Sequence, residues 1–154
     1  MKYICPLLVV EDIQKSREFY NKILGLEVFS DFGANICFTC GLALQTKDSY
    51  AGFIEKELKD IKTCGNDAEI YFEEDDIEAF YEKLKSFDVV YLYKIIEHPW
   101  GQRVIRFYDL DKHIIEVGEN MEVVCRRFFK QGMTPEQISV KTMYPVAFIE
   151  NAVK

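Results

Sequence analysis

A chain of 154 residues is most simply one domain, and 49% apolar with 29% charged residues excludes a disordered protein. The formal net charge of −7 argues against nucleic acid as the main partner, because phosphate binding requires a basic surface. No apolar run approaches the roughly 20 residues of a membrane span, so no membrane association is expected.

The five cysteines indicate a reducing compartment. Their number is odd, and the first residues do not resemble a signal peptide, so we expect reduced thiols in the cytoplasm. Cys37 and Cys40 have the C-x-x-C spacing, but they lie in a predicted hairpin and no second pair follows. We therefore interpret this spacing as chance rather than as a redox or zinc site.

The first half of the chain predicts a strand, a helix and three further strands. Residues 3–10 form an apolar run that Pro6 interrupts, which predicts an edge position or an unpaired side. Asp12 is placed to cap a helix that ends at Gly25. A short helix is predicted over 51–58. The three further strands are predicted over 26–30, 35–39 and 42–46.

The same order of elements returns after residue 66. A strand is predicted over 68–73 and a helix follows Asp75 or Asp76, with further strands over 89–96, 104–108 and 113–117. Glu-Phe-Tyr-Asn-Lys-Ile-Leu at 18–24 is echoed by Ala-Phe-Tyr-Glu-Lys-Leu-Lys at 79–85. An internal repeat of about 60 residues predicts two βαβββ modules.

The last strand pattern carries an acid among apolar residues. Alternation places Ile114 and Glu116 on one face of the strand and His113 on the other. A buried carboxylate needs a cation, a metal or hydrogen-bond donors, so we expect the chemistry of this protein to involve Glu116. His113 is expected to be an exposed surface residue.

Residues 121–154 predict a C-terminal helical extension. One helix over 121–130 ends at Gly132, Thr134-Pro-Glu-Gln begins a second, and Pro145 begins a third. We interpret this extension as a helical hairpin that packs on the domain or on a partner subunit. DNA binding through a helix-turn-helix is the weaker alternative, because Met143 replaces the usual glycine and the last helix carries a single lysine.

Two stretches resemble the glyoxalase/bleomycin-resistance/dioxygenase superfamily, also called vicinal oxygen chelate proteins. One is Val10-Glu-Asp-Ile-Gln-Lys-Ser-Arg-Glu-Phe-Tyr-Asn-Lys-Ile-Leu-Gly-Leu. The other includes Pro99-Trp-Gly-Gln-Arg and Tyr108-Asp-Leu-Asp-Lys-His-Ile-Ile-Glu, where Leu110 and Lys112 replace the usual Pro and Gly. The resemblance implies a homodimer and an α+β fold over residues 1–120. Its two βαβββ modules, over 1–58 and 66–120, would form a half-open, barrel-like sheet around a pocket.

The resemblance also implies a site for a divalent metal on the pocket-facing strands. The ligand positions fall on Cys5, Glu69 and Glu116, and in an enzyme Glu116 would be the catalytic carboxylate. Only Glu116 matches the family pattern, because histidine is usual at the other two positions. A thiolate with two carboxylates over-neutralises a divalent ion, which favours no cofactor over nickel, zinc, iron or manganese.

Candidate ligand contacts surround the Pro-Trp-Gly stretch. His98 and Trp100 lie where the family shapes a pocket mouth, and Trp100 is either a stacking wall or part of the core. The arginines of the penultimate strand either clamp an anionic ligand group or neutralise Glu116 or Glu69. The candidate ligand-binding residues are Tyr71, His98, Trp100, Gln102, Arg103 and Arg106.

Two functions follow from the resemblance. The first is a small-molecule binding protein of the bleomycin-resistance kind, which would sequester an aromatic or cationic compound without a full set of metal ligands. The second is a divalent-metal-dependent lyase or dioxygenase of the glyoxalase kind. The missing histidines favour the first function, and the retained Glu116 supports the second.

Overall fold

The computed structural model describes all residues, 1–154, and the chain divides into two compact units. The first unit contains Met1–Glu69 with Tyr108–Ile114, and the second contains Ile70–Phe107 with Ile115–Lys154. The C-terminal extension therefore forms one unit with most of the second module. None of the helices combines the length and the apolar character that crossing a membrane would require.

A four-stranded mixed sheet is the basis of the first unit. Strand β1 is parallel to β4, and the other neighbours in the order β1-β4-β3-β2 are antiparallel. Helix α1 follows β1, and Asp12 caps it by accepting a hydrogen bond from the backbone N–H of Lys15. Gly25 ends the helix in the left-handed conformation. The elements of this unit are β1 over Leu7–Val10, α1 over Ile13–Leu24, β2 over Val28–Asp31, β3 over Asn35–Phe38, β4 over Ala43–Thr46 and α2 over Lys47–Phe53.

Two elements of the first unit differ from the sequence prediction. Strand β1 is shorter than the predicted strand over 3–10, because Pro6 has no N–H to donate to the ladder. The carbonyl of Pro6 still accepts a hydrogen bond from the N–H of Ala43 at 3.1 Å. Helix α2 begins directly after β4 and ends at Phe53, whereas the sequence predicted a helix over 51–58.

The second module builds a second four-stranded sheet. Its strand order is β5-β8-β7-β6, and β6 is antiparallel to β7. Asp76 caps helix α3, and Phe80 of this helix packs against Phe107 with ring centroids 6.4 Å apart. Both sheets are open, and the predicted α+β fold of two βαβββ modules is confirmed. The elements are β5 over Glu69–Glu74, α3 over Ile77–Leu84, β6 over Tyr91–Glu97, β7 over Arg103–Tyr108 and β8 over Ile114–Glu119.

Within the first unit, a polar network joins the turn between β7 and β8 to helix α1. The buried carboxylate of Asp109 accepts a hydrogen bond from the hydroxyl of Tyr20 at 2.8 Å and lies 2.8 Å from Nδ1 of His113. Although burial lowers the pKa of His113, the hydrogen bond to Asp109 raises it above its ordinary value. His113 is therefore a partly buried, paired residue, and the prediction of an exposed surface residue was wrong.

Three helices follow β8, in the order that the caps and prolines of the sequence predict. Helix α4 spans Met121–Lys130, α5 spans Pro135–Thr142 and α6 spans Val146–Ala152. Thr134 and Gln137 form the predicted capping box at the start of α5. The three helices share one apolar cluster, whose buried members are Met121, Val124, Cys125, Phe128, Ile138, Ile149 and Ala152.

Gly101, in the turn between β6 and β7, lies directly against helix α4. Its φ is 88°, and a Cβ at this position would lie 2.2 Å from Cζ of Phe128. The carbonyl of Gly101 accepts a hydrogen bond from the guanidinium of Arg127. Both the backbone conformation and the close approach of Phe128 therefore require glycine here.

We expect Gly101→Ala to lower the free energy of unfolding more than Gly132→Ala does. Both glycines have a positive φ, 88° and 91°, so either alanine carries the left-handed penalty of about 1–2 kcal/mol. A Cβ at Gly132 meets no atom within 4 Å, whereas at Gly101 it meets the Phe128 ring. Overpacking against Phe128 should destabilise Gly101→Ala by a further amount of about 1–3 kcal/mol, the usual cost of an overpacked site. Chemical denaturation of both variants measures the difference. Equal destabilisation would contradict this packing.

Candidate ligand-binding site

A buried ion-pair network fixes the strands and the helix around the site. Glu119, at the end of β8, is 0% exposed, and its carboxylate lies 2.7 Å from Arg103 Nη2 and 3.0 Å from Arg127 Nη2. Although burial raises the pKa of Glu119, the hydrogen bonds from these two guanidinium groups hold it below its ordinary value. Arg103 also donates to Glu78 at 2.8 Å. Arg103, a predicted ligand contact, is thus engaged by two carboxylates.

Three other predicted ligand contacts form a hydrogen-bonded chain in the second unit. The indole N–H of Trp100 donates to Oε1 of Gln102 at 3.1 Å, and Nε2 of Gln102 donates to the hydroxyl of Tyr71 at 2.8 Å. The Tyr71 hydroxyl donates in turn to Glu73 at 3.1 Å. Gln102 Nε2 also donates to the backbone carbonyl of Glu119 at 2.9 Å. Each group in this chain orients the next.

Gly118 of β8 provides the space that the hydrogen-bonded side chains of Gln102 and Tyr71 occupy. A Cβ at Gly118 would lie 2.8 Å from Nε2 of Gln102 and 3.1 Å from the hydroxyl oxygen of Tyr71. Real Cβ atoms essentially never lie within 3.0 Å of another atom, so a larger residue here would require Gln102 to shift and would crowd Tyr71. The close approach of Gln102 and Tyr71 to the backbone of β8 therefore depends on glycine.

An open pocket with a volume of about 490 Å³ lies beside the hydrogen-bonded chain. His98 stacks on Trp100 with ring centroids 4.2 Å apart and an interplanar angle of 15°. Trp100 also packs against the apolar cluster of the C-terminal helices, so it is both a pocket wall and a packing residue. The pocket lining comprises Tyr71, Glu73, Trp100, Gln102, Met121, Thr142, Met143 and Tyr144.

The lining of the pocket is mostly aromatic and apolar. Glu73 is its one formally charged residue, and no thiol or imidazole belongs to it. Burial raises the pKa of Tyr71 to about 12, so its phenol stays neutral at physiological pH and acts as a hydrogen-bond donor. Aromatic rings, thioethers and one carboxylate suit an apolar or cationic ligand better than they suit nucleophilic chemistry.

Glu116 is already paired with a cation. Its side chain is 8% exposed, and its carboxylate forms an ion pair with Arg106 on the neighbouring strand β7. The guanidinium of Arg106 also lies 5.4 Å from the ring centroid of Tyr93. Of the two roles predicted for these arginines, the structure therefore shows Arg106 in the neutralising one.

The predicted metal ligands do not fit a divalent metal ion. Cys5 is partly buried and Glu69 is exposed, and no group of three or more His, Cys, Asp or Glu side chains could hold a metal ion. The carboxylate of Glu116 is in contact with the guanidinium of Arg106, whose positive charge would repel a divalent cation. The donor set thus departs from the one that the family resemblance implies.

Sequence reasoning missed several residues of the site. Glu73 could have been found, because strand alternation places it on the same face of β5 as Tyr71. The four side chains from the C-terminal extension had no signal in the sequence, since their position depends on how the helices pack. They are Met121, Thr142, Met143 and Tyr144.

Comparison with known proteins relates residues 3–122 to the Glyoxalase-like domain family, whose sequence pattern they match. A protein of unknown function from Agrobacterium tumefaciens str. C58 has a similar structure, with 32% identity and a TM-score of 0.69 over 78% of this chain and 94% of that chain. No curated protein sequence matches the chain.

Two further solved structures share the fold at lower identity. A glyoxalase/bleomycin resistance protein/dioxygenase from Nocardioides is 21% identical, with a TM-score of 0.64 over 77% of this chain and 83% of that chain. A lactoylglutathione lyase from Agrobacterium tumefaciens is 19% identical, with a TM-score of 0.60 over 78% of this chain and 94% of that chain. Helices α5 and α6 lie beyond the residues that match the family.

We expect Glu119→Gln to lower the free energy of unfolding by about 3 kcal/mol near neutral pH, as the loss of one partner of a buried ion pair does. The folded-state pKa of Glu119 lies below its unfolded value of 4.5. The contribution of the carboxylate is therefore present above that value and is lost as the pH falls through the folded-state pKa. Chemical denaturation between about pH 7 and about pH 3 measures this effect. The difference in free energy of unfolding between the wild type and Glu119→Gln should become smaller as the pH falls.

Glu122→Gln is the matched control for this measurement. Glu122 pairs with Arg126 across one turn of α4, and its side chain is 52% exposed. Loss of such an exposed pair should change the free energy of unfolding by less than about 1 kcal/mol. A stability difference for Glu119→Gln that does not depend on pH would contradict the lowered pKa of Glu119.

Proposed function

Because this chain belongs to the Glyoxalase-like domain family, we propose that it binds a small aromatic or cationic molecule in the pocket of its second unit, without a metal ion. The observation that carries this proposal is the hydrogen-bonded chain from Trp100 through Gln102 and Tyr71 to Glu73. It holds two aromatic rings and a carboxylate in fixed positions along one open pocket. A site that is already oriented loses less conformational entropy when a ligand binds.

The lining supports an aromatic ligand. Trp100 and Tyr71 offer large, rigid apolar surfaces, and the stack of His98 on Trp100 limits rotation of the indole. Met121 and Met143 add polarisable thioethers, which make favourable contacts with aromatic rings. The volume of about 490 Å³ falls within the range of about 300–1,000 Å³ that is typical of small-molecule pockets.

The charge of the lining supports a cationic ligand. Glu73 is the one formally charged residue of the pocket, and no basic side chain lines it. A cation beside Glu73 would gain direct electrostatic attraction, and the faces of Tyr71 and Trp100 attract cations as well. An anionic ligand would meet the carboxylate without a compensating cation.

The alternative of a metal-dependent lyase or dioxygenase has less support. The lactoylglutathione lyase with a similar structure is 19% identical to this chain, which shows the fold alone. Arg106 forms an ion pair with Glu116, the carboxylate to which the resemblance assigns the catalytic role. Elemental analysis of the untagged protein tests this alternative. If the wild type contains about one divalent ion per chain and the Glu116→Gln variant contains none, the binding proposal is wrong and the metal-dependent enzyme is favoured.

The proposal includes a cytoplasmic homodimer. The free state of all five cysteines is consistent with a reducing compartment. Dimerisation rests on the family resemblance, and light scattering of the purified protein tests it. A monomeric mass over the full range of accessible concentrations would contradict the dimer without affecting the binding site.

We expect tetraphenylphosphonium to quench or shift the fluorescence of Trp100, the only tryptophan, in a saturable titration. Tetraphenylborate, which has the same shape and the opposite charge, should bind at least tenfold more weakly, because Glu73 would repel it. Equal affinity for the two ions would contradict the role of charge. Saturable binding of neither ion would contradict the proposed function for this ligand class.

Glu73→Gln should weaken tetraphenylphosphonium binding by about tenfold, since about 1.4 kcal/mol of charge attraction corresponds to that factor. Asp88→Asn is the matched control, because it removes the same charge from an exposed residue that does not line the pocket. The control should leave the affinity within about twofold of the wild type. Equal losses in both variants would show that net charge, and not Glu73, determines binding.

A further inference from the structure

The C-terminal extension supplies four of the eight residues that line the pocket. The match to the family ends at residue 122. Met121 lies within that match, whereas Thr142, Met143 and Tyr144 lie beyond it. These three residues therefore add to the pocket a wall that is outside the residues matching the family.

Hydrogen bonds fix the connection between α5 and α6 that forms this wall. The hydroxyl of Ser139 donates to the carbonyl of Tyr144 at 2.7 Å, and the backbone N–H of Tyr144 donates to the hydroxyl oxygen of Thr142 at 3.3 Å. The ring of Tyr144 packs on Phe148 with centroids 4.6 Å apart. The wall is thus held in place by hydrogen bonds and ring packing within the second unit.

Met143 is an unusual residue for its place in this wall. It ends α5 with a φ of 64°, a conformation that Gly25 adopts at the end of α1. Methionine is disfavoured there because its Cβ crowds the backbone. Met143 is 80% exposed, so burial does not compensate this penalty, and yet the residue lines the pocket. Folding therefore does not explain a methionine at this position.

We propose that the α5–α6 connection selects the ligand and that Met143 is its specificity-determining residue. The thioether of Met143 contacts the aromatic part of a molecule bound against Trp100 and Tyr71. A flexible, polarisable side chain adapts to the shape of an aromatic ring better than a branched aliphatic one does. This inference rests on the proposed function, because it assigns the residue that sets the preference of the same pocket.

Titration of the full-length chain with tetraphenylphosphonium tests the inference. Met143→Gly should weaken binding at least fivefold and should not lower the thermal midpoint, because glycine is favoured at this φ. The preference for tetraphenylphosphonium over tetraethylammonium, measured by competition, should fall by a similar factor. Met143→Asn tolerates the same φ with a polar side chain and should behave like Met143→Gly.

Val140→Ala is the control, because Val140 is 84% exposed on α5 and does not line the pocket. Wild-type affinity in both Met143 variants, while Glu73→Gln still weakens binding, would overturn this inference alone. A thermal midpoint that falls in Met143→Gly would also overturn it, since Met143 would then serve the fold. No binding by the wild type would overturn the proposed function.

Discussion

The burial of Glu119 is the constraint on which the second unit depends. A carboxylate that is 0% exposed is tolerated only when cations and hydrogen-bond donors surround it. Arg103 provides them from β7 and Arg127 provides them from α4, so one buried charge joins two strands and a helix. Arg127 also binds the carbonyl of Gly101. The same contacts thereby place helix α4, and with it the extension, beside the residues that line the pocket.

Several polar side chains of the second sheet are hydrogen-bonded or ion-paired to one another. Gln102 links Trp100 to Tyr71 and also binds a backbone carbonyl of β8. Elsewhere on the sheet, Arg106 neutralises Glu116. Hydrogen bonds between side chains restrict their motion, and a site that is already oriented suits the binding role that we propose.

The site differs from what membership of the family would suggest. The fold is that of the Glyoxalase-like domain, but the positions at which the resemblance places metal ligands carry Cys5 and Glu69 in place of histidine. Three of the eight residues that line the pocket, Thr142, Met143 and Tyr144, lie outside the matched residues. A shared fold therefore constrains the backbone, while the few side chains that differ and the added helices decide the chemistry.

Local patterns in the sequence determined the two modules and the caps of α1, α3 and α5, because periodicity and capping act between neighbours in the chain. Trp100, Gln102 and Tyr71 became candidate ligand contacts through the family resemblance and their places on the strands, and all three line the pocket. Only the tertiary structure decided the partners of charged groups. Arg103 binds Glu119, Arg106 binds Glu116 and His113 binds Asp109. Nothing in the sequence indicated that Met143 lines the pocket. Its position depends on how the C-terminal helices pack against a strand that is distant in the sequence, and no local pattern encodes that packing.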